Sequence, residues 1–294
     1  MPIYTAEYRT SLYGKQFAAA VDVPSGTSDI DGFVRKNAKI NVSNPLVINK
    51  CDFEPGHYLP RMARPQLINN SYIGGVPKGP LYIYGENMAT TLPHDESSLA
   101  NSLNQLSIMI EELKDIMRFI QPDKSNLNCY GHHTRNVLLL ASMEFENECK
   151  GVLRAHNYSV SNNYYSTNDF VKLREPLQLS EYTIRLSYYP SLDPISSFTG
   201  WNSTAPTQSL TWYESYNAAK HDREINFSKA NLLSAINAVC SVAIMLAAQY
   251  QTIEIWRDQI GEFFLFQSHP EWSCWQNYLL PAPGNSWQAV QYTF

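Results

Sequence analysis

Ala230-Asn-Leu-Leu-Ser-Ala-Ile-Asn-Ala-Val-Cys-Ser-Val-Ala-Ile-Met-Leu-Ala-Ala-Gln-Tyr250 runs for 21 residues without a charge, and its reading decides what kind of fold surrounds it. It is long enough to span a bilayer. Asn231, Ser234, Asn237 and Ser241 recur every three or four residues, however, and Gln249 follows. That spacing gathers amides and hydroxyls on one helix face, costly against lipid and easily satisfied against neighbouring helices. The expectation is a packed bundle helix with no membrane contact.

Outward from this segment the helical period recurs. From about Ser97 to Ile120, Leu99, Leu103, Leu106, Ile110, Leu113, Met117 and Ile120 alternate spacings of four and three. This makes a continuous apolar seam, stopped by Pro122. Roughly His133 to Ala155 repeats the pattern with Leu138, Ala141, Phe145, Cys149 and Val152. Another helix is expected over 209–221, and the uncharged one from near Asn226, with Ser228 or Asn226 as its cap. The seam at 99–120 and the small-residue stripe at 231–241 are the two candidate faces for a homodimer.

Between 158 and 208 the period disappears. Glu181-Tyr-Thr-Ile-Arg-Leu-Ser-Tyr188 alternates polar residues with Tyr182, Ile184, Leu186 and Tyr188, a half-buried strand signature. Residues 1–95 hold short β-like runs, Pro45-Leu-Val-Ile-Asn49 and Pro80-Leu-Tyr-Ile-Tyr-Gly85. Turns at Glu54–Pro60 and Gly74-Gly75 separate them. The tail from Ile253 is aromatic (Trp256, Phe263, Phe264, Phe266, Trp272, Trp275, Trp287), which suits packing onto a core, and Trp287–Tyr292 reads as a closing strand. The sum is a single, mainly α domain over 1–294. It has a β/loop flank at 1–95, a four-helix bundle at 97–250 interrupted by a β-containing insertion at 158–208, and an aromatic flank at 253–294.

Composition narrows the classes. Of the 294 residues 44% are hydrophobic and 17% charged, so a sizeable core is affordable under a polar, sparsely charged surface. A net charge of −5 supplies no global field for nucleic acid, so any RNA contact must be local. The five cysteines, Cys51, Cys129, Cys149, Cys240 and Cys274, form no Cys-x-x-Cys pair. This speaks against zinc ribbons and dithiol redox sites and suits a reducing, cytoplasmic setting. Met1-Pro-Ile-Tyr-Thr-Ala-Glu-Tyr8 has no basic start before an apolar run, so no signal peptide is expected.

The chemistry-bearing stretch is Trp212-Tyr-Glu-Ser-Tyr-Asn-Ala-Ala-Lys-His-Asp-Arg-Glu224. On a helix Tyr213, Asn217, Lys220 and His221 share one side, as do Tyr216 and Lys220. A phosphodiester site would use these groups: an imidazole to move a proton, a fixed cation for the phosphate, and an amide and a phenol to orient it. The plain alternative is a solvated helix end whose basic groups suit the helix dipole. His132-His133 with Glu144 lacks the spacing of a helical zinc motif, and His57 and His269 sit beside Pro or Gly in loops. No phosphate-cradling Gly motif and no nucleophile elbow occurs, so no cofactor or metal is expected.

Trp212-Tyr213, Tyr216-Asn217 and Lys220-His221-Asp222-Arg223, followed by Phe227, Ala230 and the long Ala/Leu-rich helix, resemble the HEPN superfamily. Glu144-Phe-Glu-Asn-Glu-Cys-Lys-Gly-Val-Leu153 is similar to that family's acidic second helix. The segment Asp169–Tyr182 is similar to an insertion in a bacterial branch of it. The resemblance covers about 97–250. It implies a HEPN-like bundle, a dimer, and in many members a metal-independent endoribonuclease whose signature is an Arg followed by four to six residues and then a His. If His221 is that histidine, the Arg positions hold Glu214, Ser215 and Tyr216, and Arg223 lies beyond it.

Two readings follow from the resemblance. In the first, the protein cleaves RNA. His221 is base or acid, Lys220 and Arg223 steady the phosphate, Asn217 orients it, and Glu144 or Glu148 positions the histidine. In the second, the same face is structural or grips a nucleotide, a protein partner or RNA without cleavage, as in phage-defence or toxin–antitoxin regulators.

Overall fold

The computed structural model describes residues 3–10, 14–37, 45–50, 57–62, 95–160, 164–250, 258–270 and 286–294. The chain divides into one unit of Met1–Pro93 with Glu271–Val290 and another of His94–Pro270 with Gln291–Phe294.

In the first unit Ile3–Thr10 (β1) and Gly14–Asp22 (β2) pair antiparallel, with a bulge between Ala6 and Glu7. The helix Ile30–Asn37 (α1) follows, started by Asp29, whose carboxylate accepts from the Gly32 N–H at 2.9 Å. Val47–Lys50 (β3) pairs antiparallel with β1, giving the order β2-β1-β3. Ala6, Val23 and Val34 form a small core with Tyr4, Ile30, Phe33 and Ile48 against it. His57–Tyr58 (β4) runs parallel to Gln288–Ala289, inside the closing strand expected at 287–292. The β1–β2 hairpin and α1 carried no sequence signal strong enough to be read. The expected run at 80–85 and the Gly pair at 74–75 lie outside the described residues.

The second unit is mainly α-helical. Glu96–Met117 (α2) starts on Asp95, whose side chain accepts from Ser97 N at 3.0 Å and Ser98 N at 3.2 Å. His132–Ala155 (α3) starts at Gly131, whose N–H donates to Thr134 Oγ1 at 2.8 Å. After the short turn of helix Thr167–Phe170 (α4) comes the strand Thr183–Leu186 (β5). Thr211–His221 (α5), Arg223–Asn226 (α6) and Leu232–Tyr250 (α7) follow. Asp258–Phe263 (α8) and Phe264–Ser268 (β6) complete it.

Helices α2, α3 and α5 all pack against α7, and α3 also packs against α2 and α5. The N-termini of α3 and α7 lie side by side, because Leu232 N donates to Cys129 O at 2.8 Å and Thr134 Oγ1 to Ala230 O at 2.9 Å. The same two helices meet again near their C-termini at Glu148 and Gln249. They therefore run parallel and in direct contact, and α2 and α5 each pack against both.

Surrounded in this way, α7 is buried on nearly every side, although by length and composition alone it could cross a membrane. Its polar stripe is satisfied internally. Ser241 Oγ donates to Ala238 O at 2.7 Å, and Gln249 Nε2 to Glu148 at 2.8 Å. The cap is neither Asn226 nor Ser228. Residues 223–229 form α6 and a 3-10 turn, and Asn231 Oδ1 accepts from Ser234 N at 2.9 Å. Both faces read as dimer candidates are used inside the chain: Leu106, Ile110, Leu113 and Met117 of the seam and Ser234 and Ser241 of the stripe are buried. A four-three seam pairs equally well with a helix of its own chain, and here α7 takes it.

The insertion completes the core. Tyr182, Ile184 and Leu186 are buried as the alternation requires, while Tyr188 is exposed beyond the end of β5. β5 pairs antiparallel with β6, from the aromatic flank. Phe170, Phe198 and Trp201 of the insertion surround Phe145 of α3 together with Trp212 and Tyr213 of α5, with ring centroids 5.3–6.3 Å from it. Both indoles are anchored, Trp201 Nε1 to Pro206 O at 2.8 Å and Trp212 Nε1 to Ser197 O at 2.9 Å.

Ser142 of α3 is an exception: its hydroxyl is fully buried and has no hydrogen-bond partner among the described residues. Ser142→Ala removes that orphan and adds helix propensity, so it should stabilise the chain by about 0.5–1 kcal/mol in urea denaturation. A loss of stability would show that the hydroxyl is satisfied in solution.

Candidate functional site

The last two turns of α5 carry Asn217, Lys220 and His221, and Arg223 opens α6. Helix α5 buries Trp212, Tyr213, Tyr216 and Ala219, which turns the remaining face, with Lys220 and His221, to solvent.

The polar centre of this region is Glu146 on α3. Its Oε1 accepts from Tyr213 OH at 2.8 Å and Tyr216 OH at 3.2 Å, and its Oε2 meets Lys150 Nζ at 3.1 Å. Lys220 Nζ in turn donates to Tyr216 OH at 2.9 Å, with the ammonium 5.0 Å from the ring centroid. An ammonium only donates and a carboxylate only accepts, so the direction of this chain is fixed: Lys220 to Tyr216 to Glu146.

Burial, reinforced by the Glu146 carboxylate, holds the Tyr213 phenol well above its ordinary range. Burial likewise raises Tyr216, against the opposing pull of Lys220. The hydrogen bond to Tyr216 raises the Lys220 ammonium above its ordinary value, so the charge persists through neutral pH. The network can therefore hold one cation in a set position at the surface. Its phenols stay protonated and serve as donors.

The other expected site residues fall differently. His221 is exposed, and its ring makes no hydrogen bond or ion pair among the described residues. Asn217 is half-buried and Arg223 exposed. Glu144 is half-buried on α3. Glu148 is fully buried, accepting from Ser102 Oγ at 2.6 Å and Gln249 Nε2 at 2.8 Å. It faces α2 and α7, not α5.

Tyr216 and Lys220 thus share a face as their spacing requires, and Glu146 was missed. Two signals for it were present. Position 148 is three after Phe145 and four before Val152, which sets it on the buried stripe. Glu146 sits four before Lys150, in the favourable order for a surface pair. Of the weaker constellations, His133 Nε2 pairs with Glu112, and the His132 ring lies 4.9 Å from Phe227. Among the described residues no three His, Cys, Asp or Glu side chains are grouped to hold a metal ion.

Fold and site together define a mainly α-helical protein with a tethered surface lysine at one helix end. Compared with family models, with curated proteins and with solved structures, the chain finds no match.

Proposed function

We propose that this chain is a HEPN-like four-helix bundle that acts on RNA by gripping its backbone at the C-terminal end of α5, and that it does not cleave RNA as a single chain. The observation that carries this reading is the contrast between two neighbours. Lys220 is held by Tyr216 and Glu146, while His221 has no orienting partner among the described residues. Gripping a phosphate needs a placed cation. General acid–base catalysis needs an oriented imidazole, and of the two carboxylates expected to position it, Glu144 and Glu148, the second is committed to the core. The missing arginine before His221 agrees with a binding role. Asn217 and Arg223 extend the polar face on either side of Lys220.

The test is incubation of the full chain with labelled RNA in EDTA at low salt, reading anisotropy for binding and a gel for cleavage. Intact RNA should be bound, and Lys220→Ala should weaken binding roughly fivefold to tenfold and lower its salt dependence by about one charge. Two results overturn the reading. One is absence of binding at micromolar protein. The other is metal-independent cleavage abolished by His221→Ala, which would make the protein a nuclease.

A further inference from the structure

The end of the helical unit beside His221 carries an aromatic group that the backbone-gripping site does not use. Tyr130 is 54% exposed, and its ring meets Phe227 edge-on with centroids 5.6 Å apart. The exposed His132 ring also meets Phe227, at 4.9 Å and tilted by 44°. Ile225, 80% exposed, stands two residues before Phe227.

Exposed rings on a free loop would mean little, but these are fixed from below. Tyr130 bridges to Asn231, Leu232 N donates to Cys129 O, and Leu233 N donates to Leu127 O at 3.0 Å. Thr134, 2% exposed, ties Gly131 to Ala230 through its hydroxyl. The loop bearing Tyr130 and the turn bearing Phe227 are therefore locked to the start of α7. None of these bonds needs the rings themselves: Tyr130 and His132 are exposed to water, and Phe227, on which both rest, is half-buried.

The surroundings select the ligand. The segment from Lys220 to Lys229 has three basic residues, Lys220, Arg223 and Lys229, against Asp222 and Glu224, in a chain whose net charge is −5. Asp222 is used locally, accepting from Ile225 N at 3.3 Å. Exposed rings on a fixed scaffold, with basic residues close by in the sequence, fit unpaired bases with their phosphates. Every base has a π-face, and the phosphates reach the cations. A duplex hides those faces, and a purely apolar protein partner would gain nothing from the cations.

We propose that Tyr130, His132 and Phe227 form a base-stacking platform that makes the RNA partner single-stranded. This rests on the RNA-directed reading above and adds the strandedness and the residues that read it. Bases leaving the Lys220 grip would continue onto the rings, with Arg223 and Lys229 on their phosphates.

The experiment compares the full chain with Tyr130→Leu, Tyr130→Trp and Phe227→Ala against a labelled single-stranded RNA of about twelve nucleotides and its duplex. Folding of each variant is checked by circular dichroism. The single strand should bind at least about tenfold more tightly than the duplex. Tyr130→Leu and Phe227→Ala should each weaken it by about tenfold without changing the salt slope, while Tyr130→Trp retains it. A 2-aminopurine in the strand should be quenched on binding the full chain and not on binding Tyr130→Leu, which keeps the test valid should Phe227→Ala fail to fold. Equal affinity for duplex, or full affinity in Tyr130→Leu, overturns the platform while leaving the Lys220 grip standing. No binding of either RNA by the unaltered chain overturns both. Capture of an apolar peptide in place of RNA, lost in Tyr130→Leu, overturns the platform in favour of a protein-docking surface.

Discussion

Phe145→Ala should lower the stability of the helical unit by about 3–5 kcal/mol in urea denaturation followed by helical circular dichroism. The ring is fully buried at the centre of α3 and touches five others, from α4, the 198–201 loop and α5. Collapse into the resulting cavity is opposed on two sides, because both neighbouring indoles are pinned to backbone carbonyls, Trp201 to Pro206 and Trp212 to Ser197. A site that relaxes poorly loses the most on truncation. The consequence reaches the surface, since Tyr213 packs on Phe145 and also holds Glu146. RNA affinity should therefore fall along with stability. Phe145→Leu, which fills most of the space, should cost much less of both. A loss under about 1 kcal/mol for the alanine variant would mean that the insertion is not part of the core.

Replacing Glu148 by Leu is the second large effect, about 2–4 kcal/mol, and it has a different cause. The Ser102 hydroxyl and the Gln249 amide are left facing an apolar side chain inside the core, and unmatched buried donors cost more than the bonds had contributed. Glu148→Gln keeps an acceptor oxygen and should cost less. Glu148→Leu combined with Gln249→Leu should be less destabilising than the sum of the two changes, because the second removes a donor that the first orphaned. The same variants separate structure from function. With Glu148 directed to α2 and α7, Glu148→Gln should bind RNA as the unaltered chain does. A specific fall in binding without a fall in stability would return Glu148 to the site.

How far the site could be read in advance depends on what each residue's position rests on. Tyr216 and Lys220 lie four apart on one helix, so their pairing is a matter of helical pitch and is visible in the sequence. Glu146 required a choice among three carboxylates, Glu144, Glu146 and Glu148, and that choice depends on which face of α3 meets α5. The apolar stripe through Phe145 and Val152 held part of the answer for Glu148. The platform at Tyr130 and Phe227 joins residues about a hundred positions apart, and no local pattern announces it.

The four long helices, their apolar faces and the strand at 183–186 were determined by the sequence itself, because pitch, pleat and caps act within a few residues of one another. Asp95 capping α2 and the buried line Leu138, Ala141, Phe145, Cys149 and Val152 are of this kind. Tertiary structure alone decided that α7 is enclosed by helices of its own chain, that the seam of α2 is spent on it, and that β5 pairs with β6 from beyond α7. It also decided that Glu146 rather than Glu148 supports Lys220. An apolar face states only that something must cover it, since burial is non-directional. Which partner does so is settled by the packing of the whole unit.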